Sequence, residues 1–235
     1  MRETPDAVML FAAGFGTRMG ALTANRPKPL IEVGGKALLD HALAQVRGAG
    51  LSRIVVNTHY HADQIAAHVQ SQRDVQLSPE PDLILETGGG LRAALPLLGA
   101  GPVFTLNTDA VWTGANPLKT LAQAWDAGRM DALLLLAPPD RIVGFRGTGD
   151  FMLGADGRIE RAKGRAGLAY LGAQILLPKG IEDIAEPAFS LNLLWDRMIA
   201  EGRAFGVLHP GGWCDVGRPE GIPEAEDLLR GAHVS

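Results

Sequence analysis

The chain has 235 residues, enough for one large α/β domain with a full core and too few for two generous ones. Hydrophobic residues make up 46% and charged residues 20%, and a net charge of −4 excludes a global basic field that would recruit nucleic acid or an anionic membrane. Cys214 is the single cysteine, which excludes an intrachain disulfide and a multi-cysteine zinc site and points to a reducing compartment.

The first apolar run, Ala7 to Phe11, reads as a buried strand that opens into a glycine-bearing loop from Ala12 to Leu30. Glycines there let backbone N–H groups turn toward an anion with no Cβ in the way, and Arg18 and Lys28 add two cations. The loop is either a phosphate cradle or a structural turn. Gly14-x-Gly16 is followed by Gly20 instead of a glycine at 19, so the dinucleotide fingerprint fails by one residue. Pro27 and Pro29 keep the chain irregular where that fingerprint needs a helix, and no Gly-Lys-Ser/Thr closes a Walker loop.

Leu38, Leu39, Ala42, Leu43 and Val46 recur at helical spacing and stop at Gly48 and Gly50. Strands are predicted at 54–56, 75–77, 103–106 and 132–137, and helices near 63–69, 88–98 and 118–127. This alternation predicts an α/β fold, a Rossmann-like, mostly parallel mixed sheet with helices on both faces. In the second half, Phe151 to Leu153 and Arg158 to Glu160 read as a hairpin turned at Asp156-Gly157. Further strands are expected at 168–177 and 205–208 and helices at 191–200 and 221–229, packed onto the sheet as a small β-rich sub-lobe. The whole chain, 1–235, reads as a single domain with halves 1–137 and 138–235. Acidic residues precede the first apolar run and 132–137 is too short to span a bilayer, so the expected location is the cytoplasm.

In an open α/β sheet, ligands bind beyond the carboxyl ends of the strands. There Asn107-Thr108-Asp109 follows a buried strand, and Asp109 is either a cap or turn former or a ligand for a hard cation. Glu86-Thr-Gly-Gly-Gly90 opens a helix whose backbone donors could bind a base, ribose or phosphate, with a plain flexible turn as the alternative. Trp213-Cys-Asp-Val-Gly217 sets a second carboxylate, Asp215, in a partly buried context. His59 and His61 read as solvated loop histidines ahead of a zinc pair, and Cys214 as a small packing residue.

Together these residues resemble the sugar-1-phosphate nucleotidyltransferases, whose opening pattern L-A-A-G-x-G-[ST]-R-[ML]-x-P-L-T-x-x-x-P-K-P matches Phe11 to Pro29. Later stations recur in order: Asp109, Gly149-Asp-Phe151 and Trp213-x-Asp215-Val-Gly217. Within the family the chain looks most like the short uridylyltransferases that act on N-acetylmuramic acid 1-phosphate in cell-wall recycling. The resemblance implies an NTP, UTP favoured, and a sugar 1-phosphate as partners, Mg²⁺ as cofactor, no nucleic acid or membrane partner, and a monomer or homodimer. It implies that 1–137 binds nucleotide while 138–235 binds sugar and completes the metal site. Arg18, Lys28, Asp109 and Asp215 would be catalytic, with both aspartates holding the metal. Ala12, Ala13, Gly14, Gly16, Thr17, Glu86, Thr87, Gly88, Gly89 and Asn107 would join Arg18 and Lys28 around the nucleotide, and Gly149, Asp150, Lys163 and Gln174 would face the sugar. Ala21 departs from the family's proline and Thr108 from its usual glycine. Alternatives are a guanylyltransferase for mannose 1-phosphate, a nucleotidyltransferase for glucose 1-phosphate, a non-catalytic nucleotide-sugar sensor and a dinucleotide-dependent oxidoreductase.

Overall fold

A computed structural model describes residues 3–232. The first half runs β1 (Ala7–Phe11), β2 (Glu32–Val33), β3 (Lys36–Ala37), α1 (Leu38–Gly48), β4 (Arg53–Thr58), α2 (Ala62–Val69), β5 (Val75–Pro79), α3 (Glu86–Leu98), β6 (Val103–Asn107), β7 (Ala110–Thr113), α4 (Pro117–Ala124) and β8 (Ala132–Ala137). The second half adds β9 (Phe151–Leu153), β10 (Ile159–Arg161), β11 (Ala169–Leu176), α5 (Asn192–Ala200), β12 (Ala204–Leu208), β13 (Gly212–Asp215) and α6 (Gly221–Ala232).

Seven strands form the main sheet in the order β12-β8-β11-β6-β1-β4-β5. Neighbours are parallel except β11, which runs antiparallel to both β6 and β8. Two-residue alternation sends Val8 and Leu10 to one face with α1, α2 and α4, and Ala7 and Met9 to the other with α3 and α5. The second half therefore does more than sit on the sheet: it supplies β11 and β12. Outside the sheet stand the β9–β10 hairpin and a ribbon in which β7 pairs with β13.

Helix α4 stops at Ala124, short of the expected 127. Trp125 turns extended, and Asp126 caps the next turn by accepting from Gly128 N. The start is set by Asn116, whose side chain accepts from Leu118 N and Lys119 N, with Pro117 at the first helical position. The segment expected to be irregular holds two 3₁₀ turns, Thr17–Thr23 broken at Gly20, and Lys28–Leu30.

Strand β11 bulges between Tyr170 and Gln174, and Gly172 sits there at φ +76°. A Cβ at Gly172 would lie 2.7 Å from Asn107 Nδ2, so the glycine both permits the bulge and leaves room for Asn107 at the end of β6. Gly172→Ala is expected to lower unfolding free energy by about 1–3 kcal/mol, measured by denaturant titration.

Candidate active site

The carboxyl ends of β1, β4 and β6 open into a cleft of about 310 Å³. Its wall includes Ala12, Ala13, Gly14, Gly16, Thr17, Arg18 and Lys28 from the glycine loop, Glu86 and Thr87 from the start of α3, and Asn107 and Asp109 from the end of β6. Gly16 adopts φ +64°, and a Cβ on it would come within 2.9 Å of the Lys28 Cβ, so glycine is what lets the Lys28 stem lie against the loop. Gly14 has no atom within 4 Å of where its Cβ would be, which leaves that side open to a ligand.

Asp109 caps no helix. The chain passes from β6 through Asp109 directly into β7, and β7 leaves the main sheet to pair antiparallel with β13, Ala110 opposite Asp215. Asp109 O accepts from Val216 N at 2.8 Å, which pins the two aspartates to the same end of the ribbon. Lys28 Nζ meets Asp109 Oδ2 at 2.8 Å. Burial raises the Asp215 pKa above its ordinary value and the Asp109 charge raises it further, while Lys28 and Arg18 oppose the shift. The four residues thus share one electrostatic neighbourhood. Asp215 itself lies at the edge of the cleft, in a small hollow with Arg146 and Arg218, while Gly217 lines the cleft proper.

Two carboxylates held side by side, with hard oxygen donors, fit a Mg²⁺ ion that takes one or two protein carboxylates and completes its shell with phosphate oxygens and water. Their mutual repulsion, visible at Asp215, is what a divalent cation would relieve.

Other expected residues lie elsewhere. Gly88 and Gly89 do not offer their amides to a ligand, because both N–H groups donate to Phe189 O, and a Cβ on either would strike Phe189 or Pro187. The glycines serve close packing at the helix start. Gln174 does not face an acceptor: it is fully buried, donates to Thr105 Oγ1 and accepts from Trp195 Nε1. Gly149 takes φ +111° against Gly167, and Asp150 accepts from Tyr170 N, so both shape the join of β9 and β11. Lys163 tops the β10 turn at φ +51° and shares a separate charged hollow with Asp150. Neither hollow residue lines the cleft.

Sequence reasoning missed Asn57 and Glu80. Asn57, at the end of β4, accepts from Ala12 N at 2.7 Å and donates to buried Glu80, which also accepts from Leu85 N. This relay ties the glycine loop to the start of α3. Its signal was available in the strand-end rule applied to β4 and in a glutamate between Pro79 and Pro81. Thr108, at a family glycine position, donates to Phe11 O and locks β6 to β1. His59 is hydrogen-bonded to Glu80 O and the His61 ring lies tilted against Tyr60, with centroids 4.2 Å apart, so both are more engaged than solvated loop residues. Cys214 is buried, its thiol pushed up to about 12 mainly by burial, as suits packing.

Residues 8–168 match the model of the MobA-like NTP transferase domain. The chain belongs to that family. This transferase is 44% identical to an N-acetylmuramate alpha-1-phosphate uridylyltransferase of Caulobacter vibrioides, over 97% of its own length and 99% of the relative's. It is 33% identical to the protein of the same description from Neisseria meningitidis serogroup B, over 94% and 96%. A UDP-glucose pyrophosphorylase solved with UDP-glucose superposes with a TM-score of 0.78 at 16% identity, covering 97% of this transferase and 99% of that chain, which shows the shared fold.

Because its folded-state pKa is raised, Asp215 favours the fold most when protonated, and that contribution is lost as pH rises through the raised value. Asp215→Asn is therefore expected to raise the Tm of the substrate-free transferase at neutral pH, with the gain over wild type shrinking as pH falls. Thermal melts across pH check both directions.

Proposed function

We propose that this protein transfers the uridylyl group of UTP to N-acetylmuramic acid 1-phosphate, releasing pyrophosphate. The observation that carries the reading is that Arg18, Lys28 and Asp109 line one cleft with Asp215 at its edge and within their electrostatic reach, in a chain whose relatives at 44% and 33% identity bear that activity in their names. A phosphate oxygen of the sugar phosphate attacks the α-phosphorus; a new P–O bond forms there as the bond to the β-phosphate breaks and pyrophosphate leaves. Both substrates are polyanions and no proton need be abstracted, so positioning and charge neutralisation carry the catalysis.

Lys28 is the cation set deepest, and its pairing with Asp109 holds the ammonium beside the transferred phosphate. Arg18 is exposed on the loop, free to reach the departing pyrophosphate with a fork of donors that lysine lacks. Mg²⁺ bound by Asp109 and Asp215 would supply charge neutralisation across the two phosphates. Glu86, a carboxylate in a cleft otherwise suited to polyanions, suits the base or ribose as a hydrogen-bond acceptor.

With UTP and N-acetylmuramic acid 1-phosphate, pyrophosphate release that stops on chelation of Mg²⁺ is expected, in a panel that includes the other NTPs and neutral sugar 1-phosphates. Release only with GTP and mannose 1-phosphate would replace this assignment, and no release with any pair would reject it. Lys28→Ala should cut kcat by about 10²–10³-fold in the same assay, while circular dichroism stays that of the wild type.

A further inference from the structure

The elbow that carries Glu86 and Thr87 into the cleft is unusual in its backbone. Glu86 takes φ +58°, a left-handed conformation that costs a non-glycine residue and persists only where the surroundings impose it. Behind the elbow, Leu85 and Gly89 border an open hollow of about 780 Å³. Core packing holds α3 from Leu91 onward, and Gly88 and Gly89 lie buried against Phe189 and Pro187.

Besides the Glu80 contact to Leu85 N, the elbow is held by a strap of chain from Ile184 to Leu191. Phe189 N donates to Leu85 O, Phe189 O accepts from Gly88 N and Gly89 N, and Leu191 N donates to Thr87 Oγ1. The first free amides of α3 are thereby satisfied by a protein carbonyl. The strap is fastened in turn by its own buried side chains, Ile184, Phe189 and Leu191, and by one charged side chain of α3. Arg92, one turn further along α3, donates Nη1 to Ile184 O and Nη2 to Glu186 O and Pro187 O, and its guanidinium lies 4.9 Å from the centre of the Phe189 ring. Three carbonyls of a segment without regular structure would otherwise depend on water.

We infer that Arg92 is a positioning residue for the nucleotide end of the cleft: by clamping the 184–191 strap onto the first turn of α3 it fixes the elbow that presents Glu86 and Thr87. The inference rests on the proposed reading that this elbow faces the nucleotide. Gly88 is part of the same device, because a methyl group there would collide with the Phe189 ring and carbonyl and push the strap away. Neither Gly88 nor Arg92 lines the cleft.

The test compares Arg92→Ala, Arg92→Lys and Gly88→Ala with wild type. UTP affinity in the presence of Mg²⁺ is measured by calorimetry, and KM for each substrate and kcat by pyrophosphate release. Arg92→Ala and Gly88→Ala should both weaken UTP binding and raise the KM for UTP by about tenfold, leaving kcat and the KM for the sugar phosphate near wild type. Arg92→Lys, which can reach some of the same carbonyls, should recover part of the loss. A lower Tm with unchanged UTP constants, or equal shifts in both KM values, would overturn the inference. Wild-type protein that fails to bind UTP would overturn the nucleotide reading and the inference with it. Transfer to a different sugar phosphate would correct the acceptor alone, and the UTP constants would still decide the role of Arg92.

Discussion

The antiparallel pairing of β7 with β13 is the constraint on which the site depends. It takes the chain out of the main sheet immediately after Asp109 and brings Asp215 back opposite Ala110, with Val216 N closing on Asp109 O. The two aspartates thus share one end of the ribbon at the rim of a cleft, and burial first, then the Asp109 charge, raises the Asp215 pKa. Lys28 and Arg18 relieve it only in part. In the proposed function, a divalent cation and the phosphate oxygens around it would relieve the rest.

A small third core holds the arrangement. Met19, Ile31, Val33, Leu38, Val111, Cys214, Val216 and Ala225 are packed together, joining the glycine-loop segment to the ribbon and to α6. Each such side chain contributes about 1.5–3 kcal/mol on burial, whereas a partly exposed ion pair such as Lys28–Asp109 contributes about 0–1 kcal/mol. Apolar packing therefore decides where the cations stand, and the ion pair sets only where the Lys28 ammonium points. Cys214 belongs to this core, between Trp213 and Asp215, which accounts for its burial as packing.

The polar relay of Asn57 and Glu80 performs the same service on the other side of the cleft. It joins Ala12 N in the glycine loop to Leu85 N at the α3 elbow, so the two walls are tied together. Buried and fully bonded, such a relay favours a single geometry, since losing any partner leaves a buried polar group unsatisfied. The 184–191 strap adds a brace behind that elbow, through hydrogen bonds and its buried Ile184, Phe189 and Leu191.

Local pattern alone determined much of this protein. Helical spacing from Leu38 to Val46, the apolar runs of β1, β4, β6 and β8, and the Asp156-Gly157 turn each announce an element whose periodicity is set by its own residues. The opening pattern from Phe11 to Pro29, with Asp109 and Asp215 further on, carried the family resemblance, while the residues alone left Asp109 open between a turn former and a cation ligand. Tertiary structure decided the rest. Nothing near Gln174 says that Trp195 and Thr105 will claim its amide, and nothing near Gly88 says that Phe189 will take its N–H group. Nor could the halves at 137 and 138 be seen to share one sheet, since β11 enters between β6 and β8 only through long-range pairing. Hydrogen-bond partners distant in sequence leave no periodic trace, so which polar residue meets a ligand and which is consumed by the fold is settled only when the chain closes on itself.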